Sequence, residues 1–252
     1  MENFANIARS AGRILSVKGF TVVSDLQNAR IGDIIEVVQK ETYLTGEVTG
    51  FEDNKSVIMM HSDTSGLKQG AILRVRKNSQ QILLGESIAG KVLDGHGRII
   101  SGGEVMHGEL FDIINPPPEP LKRKKVEKIF ETGIKTIDGL LTLGRGQRVG
   151  LFAGSGVGKS TLLGNITRYA LADVVVVNLI GERGREVREF IEDVLGEEGM
   201  RKAVLVVSTS DQSPLLRVRS AYIATAIAEY FRDKGKDVLL LMDSLTRSAR
   251  AQ

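Results

Sequence analysis

The feature that most constrains the fold is a glycine-rich loop at residues 153–160, which reads Ala-Gly-Ser-Gly-Val-Gly-Lys-Ser. An apolar run at 147–153 precedes the loop and predicts a strand, while Leu162, Leu163 and Ile166 follow it at helical spacing. A strand, a glycine-rich loop and a helix in this order are the setting of a P-loop. Position 153 carries Ala where the strict pattern has Gly, and so small a side chain leaves the loop intact.

The residue types of this loop predict a phosphate-binding site. Glycines let successive backbone N–H groups form a nest around phosphate oxygens, and the amino end of the next helix adds positive potential. Lys159 is placed to reach β- and γ-phosphates, and the Ser160 hydroxyl to ligate Mg²⁺. The alternative is a glycine-rich turn with an incidental Lys-Ser pair. We predict nucleoside triphosphate binding by Gly154, Ser155, Gly156, Val157, Gly158, Lys159, Ser160 and Thr161.

The second half of the chain alternates between strand and helix patterns. Near-continuous apolar runs, typical of strands buried on both faces, lie at 147–153, 174–180, 203–208 and 238–243. Helical spacing predicts one buried face formed by Val187, Phe190, Ile191, Val194 and Leu195. A further helix, beginning at Ser213-Pro214, is predicted to bury Leu215, Val218, Tyr222, Ala226 and Tyr230 or Phe231. This alternation predicts an α/β fold with a mainly parallel sheet.

Two carboxylates lie where predicted strands end. Asp243 closes the run at 238–243 and has the position of a Walker B aspartate, which holds Mg²⁺; the alternative is an Asp that caps the next helix. Glu182 follows the run at 174–180 and would polarise the attacking water; the alternative is a turn Glu paired with Arg183. A strand carrying a base between Lys159 and Asp243 favours a motor-type ATPase with a RecA-like core over a small GTPase.

The first half of the chain predicts a small β-barrel. Short β-rich runs separated by turn residues occupy 12–84, and about six short strands in about 70 residues favour a closed barrel. A glycine-rich stretch with a run of prolines follows and ends in the basic tetrad 122–125, which we interpret as a solvated connector. The predicted domains are a β-barrel at 1–84, a transition at 85–125 and a nucleotide-binding domain at 126–252.

Composition excludes several classes of protein. The net charge is +3, from 34 basic and 31 acidic residues spread evenly, so a basic nucleic-acid-binding face is disfavoured. With no Cys in its 252 residues, the chain has neither disulfides nor thiolate–metal sites. Neither a signal peptide nor a membrane-spanning run fits the sequence, which predicts a soluble, intracellular protein. His61, His96 and His107 lack metal-ligand spacing and are interpreted as surface or loop residues.

Several motifs together resemble a known family. They are Gly150-Leu151-Phe152 with the loop that follows, 180–190, 228–232, the Asp-Ser-Leu-Thr-Arg of 243–247, and the Pro-rich stretch leading to 132–138. From about Gly12 to its last residue the chain resembles the flagellar and type III secretion export ATPases, which are similar to the catalytic subunit of rotary ATP synthases. The family usually has an aromatic residue after Thr246-Arg247, where this chain has Ser248.

The resemblance implies a β-barrel, a RecA-like ATPase domain and a C-terminal helical domain in a homo-hexameric ring that uses ATP and Mg²⁺. It implies that Glu182 is the catalytic base, that Arg183 lies near the γ-phosphate and that Asp243 is the Walker B acid. Implied partners are a stator-like regulator, a stalk protein, an export gate and chaperones, with no nucleic acid. The implied location is cytoplasmic, at the cytoplasmic face of the export apparatus, with membrane association only through partners.

Because the chain ends at Gln252, before the arginine finger and adenine pocket of that family, we expect it to be a truncated piece of a longer ATPase. The favoured function is hydrolysis of ATP to energise flagellar protein export, although the 252-residue piece is expected to turn over poorly. The alternatives are a rotary proton-translocating ATP synthase subunit, a Rho-like nucleic-acid translocase and a non-catalytic ring subunit.

Overall fold

A computed structural model describes residues 11–38, 44–76, 80–104, 107–154 and 156–252. The first of the three β systems in these residues is a barrel closed in the order β1-β2-β5-β4-β3-β6. Its strands are β1 Ala11–Lys18, β2 Thr21–Ser24, β3 Ile34–Val38, β4 Thr45–Glu52, β5 Lys55–Met60 and β6 Ile72–Val75. Alternating side chains fill its interior, among them Ile14, Ile35, Val48, Ile58 and Leu73. The predicted six-stranded closed barrel is therefore confirmed.

The second β system is a five-stranded sheet in the order β13-β11-β12-β8-β9. Its members are β8 Val92–Asp94, β9 Ile99–Ser101, β11 Val174–Glu182, β12 Ala203–Thr209 and β13 Val238–Asp243. All neighbours are parallel except β9, which is an antiparallel edge strand. Two further strands, β7 Gln81–Leu84 and β10 Glu109–Asp112, pair with each other. The mainly parallel sheet is as predicted.

Helices cover both faces of this sheet. The α-helices of the described residues are α1 Lys135–Leu140, α2 Lys159–Tyr169, α3 Gly184–Glu189, which continues as a π-helical segment Phe190–Leu195, α4 Gly196–Met200, α5 Pro214–Asp233 and α6 Leu245–Ala249. On one face, alternate residues of β11 such as Val176 pack with Ile223 and Ile227 of α5. On the other, Val177 packs with Phe190 and Leu195. Burial on both faces explains the continuous apolar runs of β11 and β12.

Residues on both sides of the predicted domain limit at 84 share one core. Ile82, Leu93 and Ile113 belong to the same buried cluster as β11 and α5, and β8 and β9 lie in the large sheet. The limits at 84 and 125 stay a prediction. The tetrad 122–125 is exposed, as predicted for a solvated connector.

The predicted strand at 147–153 is wrong, because this segment has no strand structure. Its apolar side chains are exposed, with Val149 at 53%, Leu151 at 40% and Phe152 at 98%. An apolar run becomes a strand only where a neighbour supplies hydrogen bonds. Among the described residues, the edge strand β13 pairs with β11 and not with this segment.

The predicted buried face of α5 is wrong in its first three positions and right in the rest. Tyr222 is 42% exposed, and Leu215 and Val218 are only half-buried. The stripe that contacts the sheet is instead Leu216, Ser220, Ile223, Ala224 and Ile227, with the predicted Ala226, Tyr230 and Phe231 also buried. Because apolar residues form two adjacent stripes on this helix, helical spacing alone did not identify the buried one.

The interpretation of His61 as a surface or loop residue is right for the loop, since His61 lies in the bend after β5, but wrong for the surface. Its side chain is buried, with 4% of the residue exposed, and Nδ1 lies 3.2 Å from Thr45 Oγ1. The His96 ring meets the His61 ring edge to face, with 4.9 Å between their centroids. The two rings join the barrel to the turn between β8 and β9, whereas His107 is exposed.

Candidate functional site

The glycine-rich loop lies exposed in front of α2, which begins at Lys159. Gly156 has φ +76° and Gly158 has φ +90°, a left-handed backbone that side chains rarely adopt. A Cβ built on either glycine meets nothing within 4 Å, so the space beside both glycines is open. Gly154, Val157, Ser160 and Thr161 are also exposed, whereas Ser155 lies outside the described residues.

The parallel strands bring the predicted carboxylates to one edge of the sheet. Glu182 is the last residue of β11 and Asp243 the last of β13, and in the register between these strands Leu179 faces Asp243. Because the carboxyl ends of parallel strands meet at the same edge, both side chains lie where open α/β sheets bind ligands. The peptide bond between Asp243 and Ser244 is cis.

An ion pair links the glycine-rich loop to the sheet edge. Lys159 Nζ lies 2.5 Å from Asp243 Oδ1, although the two residues are 84 positions apart in the sequence. The Asp243 side chain is 6% exposed and that of Lys159 is 31% exposed. The two elements that should hold the phosphate and the metal are therefore in contact.

Glu182 is half-buried and forms an ion pair with Arg247 of α6. The same guanidinium donates to the carbonyl oxygen of Gly181 at 3.0 Å. Burial raises the pKa of Glu182 above its ordinary value, and the hydrogen bond with Glu186 adds to this, while Arg247 opposes it. In turn, the hydrogen bond with Glu182 raises the pKa of Arg247.

Arg183 is exposed and is paired with Glu186, not with Glu182. The distance between Arg183 Nη1 and Glu186 Oε1 is 2.7 Å. This hydrogen bond is the main cause that lowers the pKa of the Glu186 carboxyl. The alternative interpretation of Glu182 as a turn residue paired with Arg183 does not match this geometry.

Sequence reasoning missed Arg247 and Glu186 as members of the site. Glu186 lies in the first turn of α3, and Arg247 lies on the helix that follows β13. Because Glu182 and Asp243 end strands and precede these helices, helical spacing gave no signal that links Glu186 and Arg247 to them.

The residues present fit a metal-complexed nucleotide. Left-handed glycines and an ammonium at the start of a helix supply a phosphate cradle, and the Ser160 hydroxyl and the Asp243 carboxylate are hard oxygen ligands. Within the described part of the chain, no three His, Cys, Asp or Glu side chains form a metal-holding group.

In the described residues, no helix is both long enough and apolar enough to cross a membrane.

Comparisons with known proteins place both halves in one family. A sequence model of the ATP synthase alpha/beta family, nucleotide-binding domain, matches residues 133–252, and a model of the beta-barrel domain of the same family matches residues 7–75. The match at 7–75 is close to the barrel seen in the structure. The match at 133–252 contains the glycine-rich loop, Glu182 and Asp243.

Curated relatives are similar over nearly the whole chain. The flagellum-specific ATP synthase of Aquifex aeolicus is 46% identical over 242 residues, which are 96% of this chain and 55% of the relative. That of Pseudomonas aeruginosa is 47% identical over 246 residues, 96% of this chain and 54% of the relative. The chain thus spans about half the length of the curated relatives it matches.

A solved structure shows the same fold. It is the assembled ATPase EscN in complex with its central stalk EscO, from the type III secretion system of enteropathogenic E. coli. The TM-score is 0.87 at 42% identity, covering 95% of this chain and 59% of that one. Since two domains of one family are matched in order and a relative shares the fold, the chain belongs to the ATP synthase alpha/beta family.

Proposed function

We propose that this chain is the barrel and nucleotide-binding part of an ATPase that energises protein export through a flagellar type III secretion apparatus. The observation that carries the proposal is the contact between Lys159 and Asp243, with Glu182 on the neighbouring strand of the same edge. These three groups supply phosphate binding, metal binding and a base within one site.

Each residue has a role in ATP hydrolysis. The loop 154–158 and Lys159 would bind the phosphates, while Ser160 and Asp243 would hold Mg²⁺. When bound, Mg²⁺ neutralises charge on the β- and γ-phosphate oxygens. Glu182 would accept the proton of the water that attacks the γ-phosphate, and its pairing with Arg247 favours the ionised form that a base needs.

Arg183 is the predicted γ-phosphate contact of this site. Its side chain is 68% exposed and forms an ion pair with Glu186, a neighbour on the same turn. Moving the Arg183 guanidinium from Glu186 to a phosphate requires little free energy, because an exposed ion pair contributes about 1 kcal/mol or less to stability. We therefore propose that Arg183 binds the γ-phosphate.

The flagellar assignment rests on the relatives. Several curated proteins at 42–48% identity are named flagellum-specific ATP synthase, and one at 41% identity is named type 3 secretion system ATPase. A rotary ATP synthase subunit has the same family domains and is the second candidate.

We infer the partners by the same likeness. EscN is described as assembled and as bound to a central stalk, so the natural-length protein is proposed to form a homo-hexamer around a stalk protein. A stator-like regulator, an export gate and chaperones complete the proposed partners. The proposed location is the cytoplasmic face of the export apparatus.

Hydrolysis by the natural-length protein tests the proposal. Phosphate release from MgATP is expected in the unmodified protein and is expected to fall at least about 100-fold in Lys159→Ala, because a positioned cation that stabilises developing charge is lost. Lys128→Ala, which removes an exposed Lys outside the site, is the matched control. Release that does not depend on Lys159 would refute the proposed function.

A further inference from the structure

Charged groups of this site are paired with one another. Lys159 contacts Asp243, Arg247 contacts Glu182 and Arg183 contacts Glu186. The partners come from the loop helix α2, the strands β11 and β13, and the short helices α3 and α6. The phosphate-binding ammonium is thus already bound to a carboxylate of the same chain.

The two members of the Lys159–Asp243 pair differ in their access to water. The Asp243 side chain is 6% exposed, so its charge is poorly hydrated, whereas Lys159 is 31% exposed. Removing the partner of a nearly buried charge leaves that charge uncompensated, which is far more costly than breaking an exposed pair. A ligand that draws the Lys159 ammonium off Asp243 must therefore supply Asp243 with another cation, or binding is weakened by the uncompensated buried charge.

We propose that Asp243 is a specificity-determining residue that makes the site select metal-complexed over metal-free nucleotide, by holding Lys159 when no metal is present. Phosphates without a metal must detach Lys159 and leave the Asp243 carboxylate unpaired beside further negative charge. With the metal present, Asp243 exchanges one cation for another and Lys159 is released at little cost. This inference rests on the proposed function, since it assumes that the site binds nucleotide phosphates.

The proposal predicts opposite effects of one substitution on two ligands. Asp243→Asn frees Lys159 and removes a negative charge, so metal-free ATP is expected to bind about ten-fold more tightly, near the lower end of couplings measured between close charges. The same substitution removes a metal ligand, so MgATP is expected to bind about ten-fold more weakly. The preference for MgATP over free ATP would then fall about 100-fold.

The test is equilibrium binding of a fluorescent ATP analogue to the natural-length protein and its variants, in excess EDTA and in excess MgCl₂. Asp237→Asn is the matched control, because Asp237 precedes the other end of β13 and pairs with Arg145, on the side away from the loop. It is expected to leave both affinities unchanged. Asp243→Ser, tested in parallel, removes the same charge with a smaller side chain in case the Asn variant does not fold.

A double-mutant cycle separates the proposed pair from general electrostatics. In a Lys159→Met background, Asp243→Asn is expected to give a clearly smaller gain in metal-free binding, because only the relief of repulsion remains. A gain of similar size in that background, or no gain in the Lys159 background while MgATP still binds the unmodified chain, overturns the inference and leaves the proposed function standing. Failure of the unmodified chain to bind the analogue with Mg²⁺ counts against the proposed function itself.

Discussion

The helix that carries Lys159 is held against the sheet by a close contact at a glycine, and this contact can be tested by one added methyl group. Gly164 lies in the middle of α2 and is buried. A Cβ built there would lie 2.0 Å from Val194 Cγ1 and 3.7 Å from Phe190 Cε2, both in the π-helical segment that covers the sheet. Gly164→Ala therefore forces α2 and this segment apart.

The expected change in the free energy of unfolding has two opposing contributions. Ala in place of Gly in a helix interior stabilises by about 0.5–1 kcal/mol. Overpacking of a close contact costs about 1–3 kcal/mol, and Val194 cannot rotate away freely because a β-branched side chain is stiff at χ1. The net expectation is a loss of about 1–2 kcal/mol in the free energy of unfolding.

Gly139→Ala is the matched control, since Gly139 also lies inside a helix and its Cβ meets nothing within 4 Å. Urea unfolding followed by circular dichroism should show Gly139→Ala slightly more stable than the unmodified chain and Gly164→Ala less stable. The double variant Gly164→Ala/Val194→Ala should recover part of the loss. If Gly164→Ala matches or exceeds Gly139→Ala in stability, the packing argument is refuted.

Two further predictions concern protonation. Arg247→Gln removes the cation that opposes the raised pKa of Glu182, so the acid limb of kcat against pH should move to higher pH, while Arg250→Gln on the exposed end of the same helix should leave it in place. Burial, followed by the charge of His61, lowers the pKa of His96 from 6.5 to about 3. Below pH 6.5 the unfolded chain therefore binds a proton at His96 that the folded chain does not bind. The free energy of unfolding should fall by about 1–2 kcal/mol between about pH 6.5 and 5, and it should fall less in His96→Gln.

The barrel, the parallel sheet and the carboxylates at its edge could be predicted from the sequence, because each of these patterns is compatible with one structure. The barrel follows from short runs between turn residues, and the sheet from the continuous apolar runs of β11, β12 and β13. Glu182 and Asp243 could be placed at one edge because parallel strands end together. The loop glycines required a left-handed backbone, and Gly156 and Gly158 have it.

Other features depend on contacts that local patterns do not encode. The run 147–153 has strand composition but lies outside the sheet. The buried face of α5 depends on which of two apolar stripes meets the sheet. His61 is buried because the turn carrying His96 packs over it, a contact between distant parts of the chain. The pairing of Arg247 with Glu182 depends likewise on where α6 begins after β13.

The central claim is that Glu182 is the base of an ATP-hydrolysing site, and one comparison tests it most directly. In the natural-length protein, Glu182→Gln should lower kcat by about 100-fold or more while the Kd for MgATP stays within about three-fold, because a base acts in the transition state and not in binding. Glu192→Gln, an exposed Glu paired with Arg188 on the same helical stretch, should change neither value. Hydrolysis by Glu182→Gln at the rate of Glu192→Gln would contradict the account.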